Sequence, residues 1–176
     1  VNVAARKVSI LATWQTQRQN KLEAQIKNLP DEVADLLTRK TSMVSFSPDE
    51  TKILYTASSS ANLSEGIIKE LPGSSTQHQE RSVEIGKTYI YDIKEDRNFV
   101  VGEEGTTLRW FPTSRHIISA GEGKIEIIDY DGTNRQNIYS GSYETPYAFP
   151  YSNSSRLLIL TNLGGATANL YSLSLK

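Results

Sequence analysis

Short apolar runs separated by polar turns recur along most of the chain. The segment FSPDETKILYTA (46–57) has an aromatic residue, a polar turn and then an apolar run, and WFPTSRHIISA (110–120) repeats this order. A third copy, YSNSSRLLILT (151–161), places Tyr151 at the aromatic position and Asn153 at the proline position. Two antiparallel strands joined by a tight turn have this pattern. We expect burial of the three aromatic residues and of one apolar residue in each following strand: Phe46, Trp110, Tyr151, Ile53, Ile117 and Leu158.

Further strand-like segments follow each hairpin. The third strands are predicted in KTYIYDIKED (87–96), GKIEIIDYDGTN (123–134) and ANLYSLSLK (168–176), and the fourth in RNFVVG (97–102) and RQNIYS (135–140). The alternation of apolar and polar residues in these segments is typical of antiparallel strands. Each unit is therefore predicted to be a four-stranded meander.

The spacing of the units supports a regular repeat. Positions 110 and 151 are 41 residues apart, whereas positions 46 and 110 are 64 apart. The excess lies in a Ser-, Gly- and Gln-rich stretch at 58–86, which we expect to be a mobile loop that is cleaved preferentially within 58–82. Without it the period is about 40 residues, the length of a four-stranded propeller blade. The alternative is an antiparallel sandwich with similar hairpins.

The segment FSPDETKILYTA followed by TYIYD resembles the TolB-type, WD40-like repeat. The resemblance covers about 41–176 and implies a β-propeller, usually of six or so blades, that binds proteins or ligands and usually has no catalysis of its own. Three positions depart from the family pattern, since Glu50 replaces the usual glycine, Phe111 a serine and Asn153 the proline. In overall texture the chain also resembles the propeller region of PEGA-domain surface proteins.

The first forty residues have a different pattern. VNVAARKVSILATW (1–14) is predicted to form two short strands, similar to the last strands of a preceding blade. Helices are predicted in 15–28 and 29–40, where Leu36 and Leu37 belong to an apolar face. This helical hairpin either caps one rim of the disc or serves as a docking element for a partner.

The predicted fold is therefore an all-β propeller segment of about three and a half four-stranded antiparallel blades, with an inserted α-helical hairpin. We expect an open arc whose two end faces meet further blades of a longer parent chain. The predicted organisation is trailing strands at 1–14, a helical hairpin at 15–40, a blade at 41–102 with the loop insertion 58–86, a blade at 103–141 and an incomplete blade at 142–176.

Composition narrows the classes of function. The 19 basic and 20 acidic residues nearly cancel, so no basic excess indicates nucleic acid as a partner. The chain has no cysteine, which excludes disulfides and thiol chemistry. No apolar run approaches the roughly 18 residues that span a bilayer. Because the sequence also lacks an initiator methionine, we expect a processed product or a piece of a longer protein. An extracytoplasmic location is favoured for an interaction scaffold of this kind.

Residues with chemical potential are few and scattered. His78 and His116 are predicted to be a solvated loop residue and a strand-start surface residue. Asp129 in DYDG resembles the start of a calcium loop without its remaining ligands, so it is interpreted as a turn residue. The hairpin acids that could form a glycosidase-like pair are interpreted as solvated: Glu103, Glu104 and Glu122. No catalytic residue, cofactor or metal is predicted.

Tyr143 and Tyr147 lie on a loop between predicted blades, where they would form either an adhesive rim patch or partly buried packing. Together with Leu36 and Leu37 they are the candidate partner-binding rim. The sequence favours a non-catalytic scaffold that binds a protein or glycan through rim loops. The alternatives are an accessory propeller of a larger, prolyl-oligopeptidase-like hydrolase and a glycosidase-like propeller.

Overall fold

A computed structural model describes residues 6–69, 77–103, 105–164 and 167–175. Two helices precede thirteen strands in the described residues. The helices are α1 (Lys7–Ile26) and α2 (Asp31–Arg39). The strands are β1 (Thr41–Phe46), β2 (Lys52–Ala57), β3 (Ala61–Asn62), β4 (Ser82–Val83), β5 (Lys87–Asp92), β6 (Arg97–Glu103), β7 (Thr107–Trp110), β8 (His116–Gly121), β9 (Lys124–Asp129), β10 (Gln136–Ser140), β11 (Ala148–Pro150), β12 (Arg156–Thr161) and β13 (Asn169–Ser174).

The strands form three antiparallel meanders in chain order. Sheet 1 has the order β1-β2-β5-β6, sheet 2 has the order β7-β8-β9-β10, and sheet 3 contains β11-β12-β13. The hairpin β3-β4 forms a separate two-stranded sheet. The predicted all-β class and its four-stranded antiparallel units are confirmed, and the described residues show no closed ring of sheets.

The three sheets pack face to face, each through the apolar residues of its central strands. Between sheets 1 and 2, the buried cluster contains Leu54, Ile90, Val101, Leu108, Ile117 and Ile128. Between sheets 2 and 3, it contains Phe111, Ile118, Ala120, Ile125, Tyr143, Ala148, Leu157 and Ile159. Strands β2 and β8 are covered on both faces, which explains why both of their faces are apolar.

Helix α2 covers the face of sheet 1 that is turned away from sheet 2. Its apolar residues Val33, Leu36 and Leu37 pack in one cluster with Ile53 and Tyr55 of β2. The expectation of two open end faces is therefore wrong for this end of the stack. An amphipathic helix takes the place that a preceding sheet would have in a regular repeat.

The insertion at 58–86 contributes to the same core. Leu63 directly follows β3, and Val83 is the last residue of β4. Both side chains are buried beside α2 and sheet 1, and the two short strands pair with each other. The prediction of a mobile loop without packed structure is therefore wrong for the two ends of the segment, since each places an apolar side chain in the core. Residues 70–76 lie outside the described residues.

The N-terminal segment also differs from the prediction. Residues 8–13 belong to α1 and not to a strand, while the predicted strand at 1–5 lies outside the described residues. The β-branched residues of 8–13 favour a strand locally. They directly precede a segment rich in helix formers, however, and extending an existing helix requires no new nucleation.

The turn between the first two strands has the same hydrogen bonds in all three sheets, and these fix the alignment of the repeats. The backbone N–H groups of Ser47, Phe111 and Tyr151 donate to the carbonyls of residues 52, 116 and 156. Tyr151 is thus equivalent to Ser47 and Phe111, one residue away from the predicted position. It is 40% exposed, so its predicted burial is wrong.

The same shift changes the buried leucine of the third repeat. Ile53 and Ile117 are buried as expected, but their equivalent is Leu157 and not Leu158. Asn153 corresponds to Asp49, since the side-chain oxygen of each accepts hydrogen bonds from the residue two positions later. Asn153 therefore stabilises the turn as an acceptor and does not replace the proline.

Phe46 and Trp110 are equivalent to each other, as predicted, but each is only half-buried. Phe46 packs against the α2 cluster, and Trp110 packs between sheets 1 and 2. The indole N–H of Trp110 donates to the Ser45 carbonyl at 3.0 Å, which ties the first strand of sheet 2 to that of sheet 1. The polar indole edge explains why this side chain lies at the border of the core.

The fourth residue of each turn has a left-handed backbone conformation without being glycine. Ser154 has a φ of 60°. Because a side chain in this region costs about 1–2 kcal/mol, Ser154→Gly should raise the free energy of unfolding by up to about 1 kcal/mol. Ser154→Val should lower it by about 1–2 kcal/mol, because a β-branched side chain is disfavoured there. Urea denaturation measures both changes.

Ser152 in the same turn provides the matched control, because it is not one of the described residues that have a positive φ. Ser152→Val at this exposed position should change the free energy of unfolding by less than about 0.5 kcal/mol. Equal effects of valine at positions 152 and 154 would contradict the assigned turn geometry.

Asp49 makes the first turn sensitive to acid. Partial burial opposes ionisation, but hydrogen bonds from the Ser47 hydroxyl and from the N–H and hydroxyl of Thr51 lower the pKa of Asp49 to about 2. Because the folded pKa lies below the unfolded value of about 3.9, this stability is complete above pH about 4 and is lost as pH falls toward 2. The carboxylate is exposed, so solvent screening limits the loss to less than about 1 kcal/mol.

Asp49→Asn keeps the acceptor oxygen and removes the titration. Urea denaturation at pH 6, 3 and 2 should therefore show a smaller acid-induced loss of stability in this variant than in the wild type. The same loss in both proteins would show that Asp49 is not responsible.

Candidate interaction surface

The outer face of sheet 3, turned away from sheet 2, is apolar and accessible to solvent. Tyr147 and Phe149 are 48% and 37% exposed, and Leu170 is 62% exposed. Between them on β12, Leu158 and Leu160 are half-buried. We call this surface the open face and define it by these five residues. Phe149 lies opposite Leu158 across β11 and β12, and Leu160 lies opposite Leu170 across β12 and β13.

The open face has the same position in its sheet as two faces that are covered. Leu54 of β2 directly follows a residue that packs against α2, and Ile118 of β8 directly follows a residue that packs against sheet 1. Leu54 itself packs against sheet 2, and Ile118 packs against sheet 3. Leu158 stands at the equivalent position of β12. The exposed fractions of Leu54 and Ile118 are 1% and 0%, whereas Leu158 is half-buried. The position that is covered by a following sheet in sheets 1 and 2 is thus not covered by a sheet of the described residues in sheet 3.

The sequence of β12 already indicates that sheet 3 has two apolar faces. The run LLIL (157–160) is continuously apolar, which is typical of a strand covered on both faces. In the described structure only one face is covered, with Leu157 and Ile159 at 0% and 1% exposure. Sequence reasoning located the strand but did not use this two-sided pattern to find the surface.

Arg109 borders the open face. Its guanidinium lies 4.6 Å from the centroid of the Phe149 ring, in a cation–π contact. The Tyr147 and Phe149 rings are neighbours, with centroids 6.4 Å apart. The apolar surface therefore has one positively charged margin.

The free edge of sheet 3 lies beside the open face. In sheets 1 and 2 the third strand, β5 or β9, pairs with a fourth strand. The equivalent third strand, β13, pairs with β12 alone among the strands of the described residues. The face and the edge are contiguous parts of this three-stranded sheet.

Only one of the four predicted rim residues lies on this surface. Tyr147 belongs to the open face, but Tyr143 is buried and its hydroxyl donates to the Gly121 carbonyl at 2.6 Å. Burial raises the pKa of Tyr143. Leu36 and Leu37 are each 3% exposed, because the apolar face of α2 covers sheet 1. Burial therefore excludes Leu36 and Leu37 from an exposed rim, and of the two alternatives for Tyr143 the structure shows packing.

The other polar candidates are not part of the open face, and among them His116 and Asp129 are neighbours. The His116 Nε2 atom lies 3.2 Å from the Asp129 carboxylate, where the two residues are paired across β8 and β9. His78, Glu103 and Glu122 are exposed, and Glu104 lies outside the described residues. The described part of the chain contains no group of three or more potential metal ligands. Neither described helix is long and apolar enough to cross a membrane.

A groove separates α1 from the first turn of sheet 1. This groove of about 490 Å³ is lined by residues that include Arg18, Lys21, Phe46, Pro48 and Trp110. An ion pair of 2.9 Å between Lys21 and the exposed Glu50 lies beside it. Helix α1 has no buried residue, so it contributes little to the core.

Comparison with known proteins gives no family. No protein-family model matches the chain, and no curated protein matches its sequence. One solved structure, described as a eukaryotic initiation factor, is similar with 16% identity and a TM-score of 0.46. The similar region covers 78% of this chain and 31% of the other chain. This chain therefore spans about a third of the length of the initiation factor chain.

Proposed function

We propose that the chain is a β-propeller segment that acts as a non-catalytic interaction scaffold and binds a protein partner through the open face of sheet 3. The blade assignment is supported by the repeated meander, the repeated turn and the spacing of 40 residues between the equivalent positions 111 and 151. The observation that carries the binding function is that Leu158 is only half-buried, at a position where sheets 1 and 2 bury Leu54 and Ile118 completely.

The chemistry of the open face favours a protein surface over a glycan. Its centre consists of leucine side chains, and the polar groups on the same side of β13 are the hydroxyls of Ser172 and Ser174. Sugar hydroxyls that lose water need hydrogen-bonding partners, and leucine provides none. A contiguous apolar surface of this kind marks a protein interaction site.

The absence of cysteine from the chain allows a direct test of the function. A photo-crosslinking reagent is attached to Ser174→Cys, next to the open face, or to Lys94→Cys on the exposed β5–β6 turn of sheet 1. Each labelled protein is irradiated in extracts of the cells that produce the protein. We expect one discrete protein adduct from position 174 and none from position 94.

A second substitution shows whether the adduct depends on the open face. Leu160→Asp places a charge at the centre of the apolar surface and should abolish the adduct formed from position 174. The proposed function is wrong if positions 174 and 94 give the same adducts, or if Leu160→Asp leaves the adduct unchanged.

A further inference from the structure

A pocket of about 290 Å³ lies between sheets 1 and 2, at the end where β1 and β7 begin and β2 ends. Its walls come from these three strands, from β5 and from the residues that directly precede β7. All the described residues that line it are uncharged, and most carry a hydroxyl group: Ser42, Thr56, Thr88, Thr106 and Thr107. The pocket shares no residue with the open face.

Thr56 and Thr88 form the buried part of the pocket wall. They are paired directly across β2 and β5, and their exposed fractions are 8% and 2%. Because alternate residues of a strand share a face, they lie on the same face of sheet 1 as Leu54 and Ile90, which pack between sheets 1 and 2. The two threonines therefore belong to the interface with sheet 2 and not to the interface with α2.

The repeat places apolar side chains at this position in the other two sheets. The equivalent cross-strand pair is Ala120 and Ile125 in sheet 2, and Leu160 and Leu170 in sheet 3. Ala120 and Ile125 are 2% and 0% exposed and pack between sheets 2 and 3. An apolar pair at positions 56 and 88 would give sheet 1 the same kind of contact, so the repeat itself does not require two hydroxyls there.

The two buried hydroxyls satisfy each other only in part. The Oγ1 atoms of Thr56 and Thr88 are 2.9 Å apart, so one hydroxyl donates to the other. Each hydroxyl has one hydrogen to donate, and the accepting hydroxyl has no acceptor for its own hydrogen among the described residues. A buried donor without an acceptor is costly, and this one lines the pocket. An oxygen atom of a bound molecule would satisfy it.

The chemistry of the wall favours a small, neutral molecule. A carboxylate, phosphate or ammonium group that loses water needs an opposite charge, and no described lining residue provides one. Hydroxyl groups both donate and accept, so they match the hydroxyls of a ligand. Met43 and Leu108 provide apolar contact for its C–H groups. The volume lies at the lower end of the usual range for ligand pockets, which is roughly 300–1,000 Å³.

We propose that the pocket between sheets 1 and 2 binds a small uncharged molecule with adjacent hydroxyl groups, a polyol or a monosaccharide, through the hydroxyls of Thr56 and Thr88. Ser42 and Thr106, which are exposed at the rim, bind the hydroxyls on the outer side of the ligand. This binding site is independent of the proposed function, because the pocket and the open face are formed by different residues.

Methyl NMR of the full chain with three probes tests the chemistry of the ligand. The probes are myo-inositol, D-glucose and D-glucuronate, which has the ring of glucose with a carboxylate added. We expect saturable shifts of the Thr88, Met43 and Leu108 methyl signals with inositol, with glucose or with both, while the Leu170 signals of the open face stay unchanged. Inositol alone would identify a polyol, and glucose a monosaccharide.

The charged probe is the matched control. Glucuronate should bind at least about tenfold more weakly than the better neutral probe, because its carboxylate has no countercharge in the pocket. If water alone occupies the pocket, neither neutral probe will give saturable shifts up to about 100 mM, and the proposal is wrong. Binding of glucuronate as tight as that of the neutral probes would also contradict it.

Substitutions at one position separate the hydroxyl from the shape of the side chain. Thr88→Val keeps the shape and should weaken binding of the neutral probe at least about fivefold, whereas Thr88→Ser keeps the hydroxyl and should bind within about threefold of the wild type. Thr38→Val, on the exposed side of α2, should leave binding unchanged.

A threonine pair that only stabilises the sheet predicts a different result. Binding would then be the same for Thr88→Val and Thr88→Ser, and that outcome would overturn the proposal. If Thr88→Val does not fold, Thr56→Val removes the other hydroxyl of the pair and is judged in the same way. The comparison of neutral and charged probes decides the matter if neither valine variant folds.

Discussion

Replacing Arg81 with methionine is expected to lower the free energy of unfolding by about 3–5 kcal/mol. The Arg81 guanidinium lies 3.1 Å from the Asp96 carboxylate, and the side chains are 13% and 0% exposed. The Tyr91 hydroxyl also donates to Asp96 at 2.6 Å. Without Arg81, a fully buried carboxylate would keep one neutral donor, and an uncompensated buried charge is costly. Urea denaturation measures the loss.

The pair of Arg135 and Glu126 is the control for this prediction. Its atoms are 3.0 Å apart, but the Arg135 side chain is 45% exposed. Arg135→Met should therefore lower the free energy of unfolding by less than about 1 kcal/mol. Losses within 1 kcal/mol of each other for the two variants would contradict a structural role for the buried pair. A large difference would establish that the insertion is attached to sheet 1 through Arg81.

This ion pair explains how a polar insertion can belong to the core. Arg81 immediately precedes β4, and Asp96 lies in the turn between β5 and β6. Burial, followed by the interaction with Asp96, raises the pKa of Tyr91, so its hydroxyl remains a donor. The Tyr55 hydroxyl donates to Asn98 at 2.9 Å in the same region. Two groups of buried polar side chains thus support this part of sheet 1.

Leu36→Ala in α2 is expected to lower the free energy of unfolding by about 2–5 kcal/mol. Leu36 is 3% exposed and packs with Ile53 and Tyr89, so truncation leaves a cavity between α2 and sheet 1. Leu170→Ala removes the same group at the opposite end of the stack, where the side chain is 62% exposed. This control should cost less than about 0.5 kcal/mol.

The comparison of the two leucines tests the asymmetry of the stack. Thermal and urea denaturation should both place Leu36→Ala well below the wild type and leave Leu170→Ala close to it. Similar losses would show that the end of sheet 3 is covered in the isolated chain, or that α2 does not close the other end.

The strand pattern of the repeats could be predicted from the sequence, because each strand is short and its apolar side chains lie on the faces that become buried. Ile53 and Ile117 begin apolar runs after a tight turn, and both are buried where the pattern places them. The turn register of the third repeat was missed, since Tyr151 and Asn153 imitate the aromatic and proline positions one residue away. Only backbone hydrogen bonds distinguish the two alignments.

The N-terminal region could not be predicted in the same way. Residues 8–13 favour a strand by composition, but the helix that follows extends through them. The apolar face of α2 was recognised, yet a helical pattern does not show whether that face meets a partner or the chain's own sheet. Leu36 and Leu37 consequently belong to the core, while the half-buried Leu158 and Leu160 belong to the open face.

Thiol labelling of two single-cysteine variants tests the central claim most directly, since the chain has no cysteine of its own. Ile118→Cys and Leu158→Cys place the thiol at equivalent positions of sheets 2 and 3, where Ile118 is 0% exposed and Leu158 is half-buried. In dilute monomeric protein, the thiol at position 158 should react at least about a hundredfold faster than the thiol at position 118. Equal protection of both thiols would show that the outer face of sheet 3 is covered, and would contradict its assignment as a binding surface.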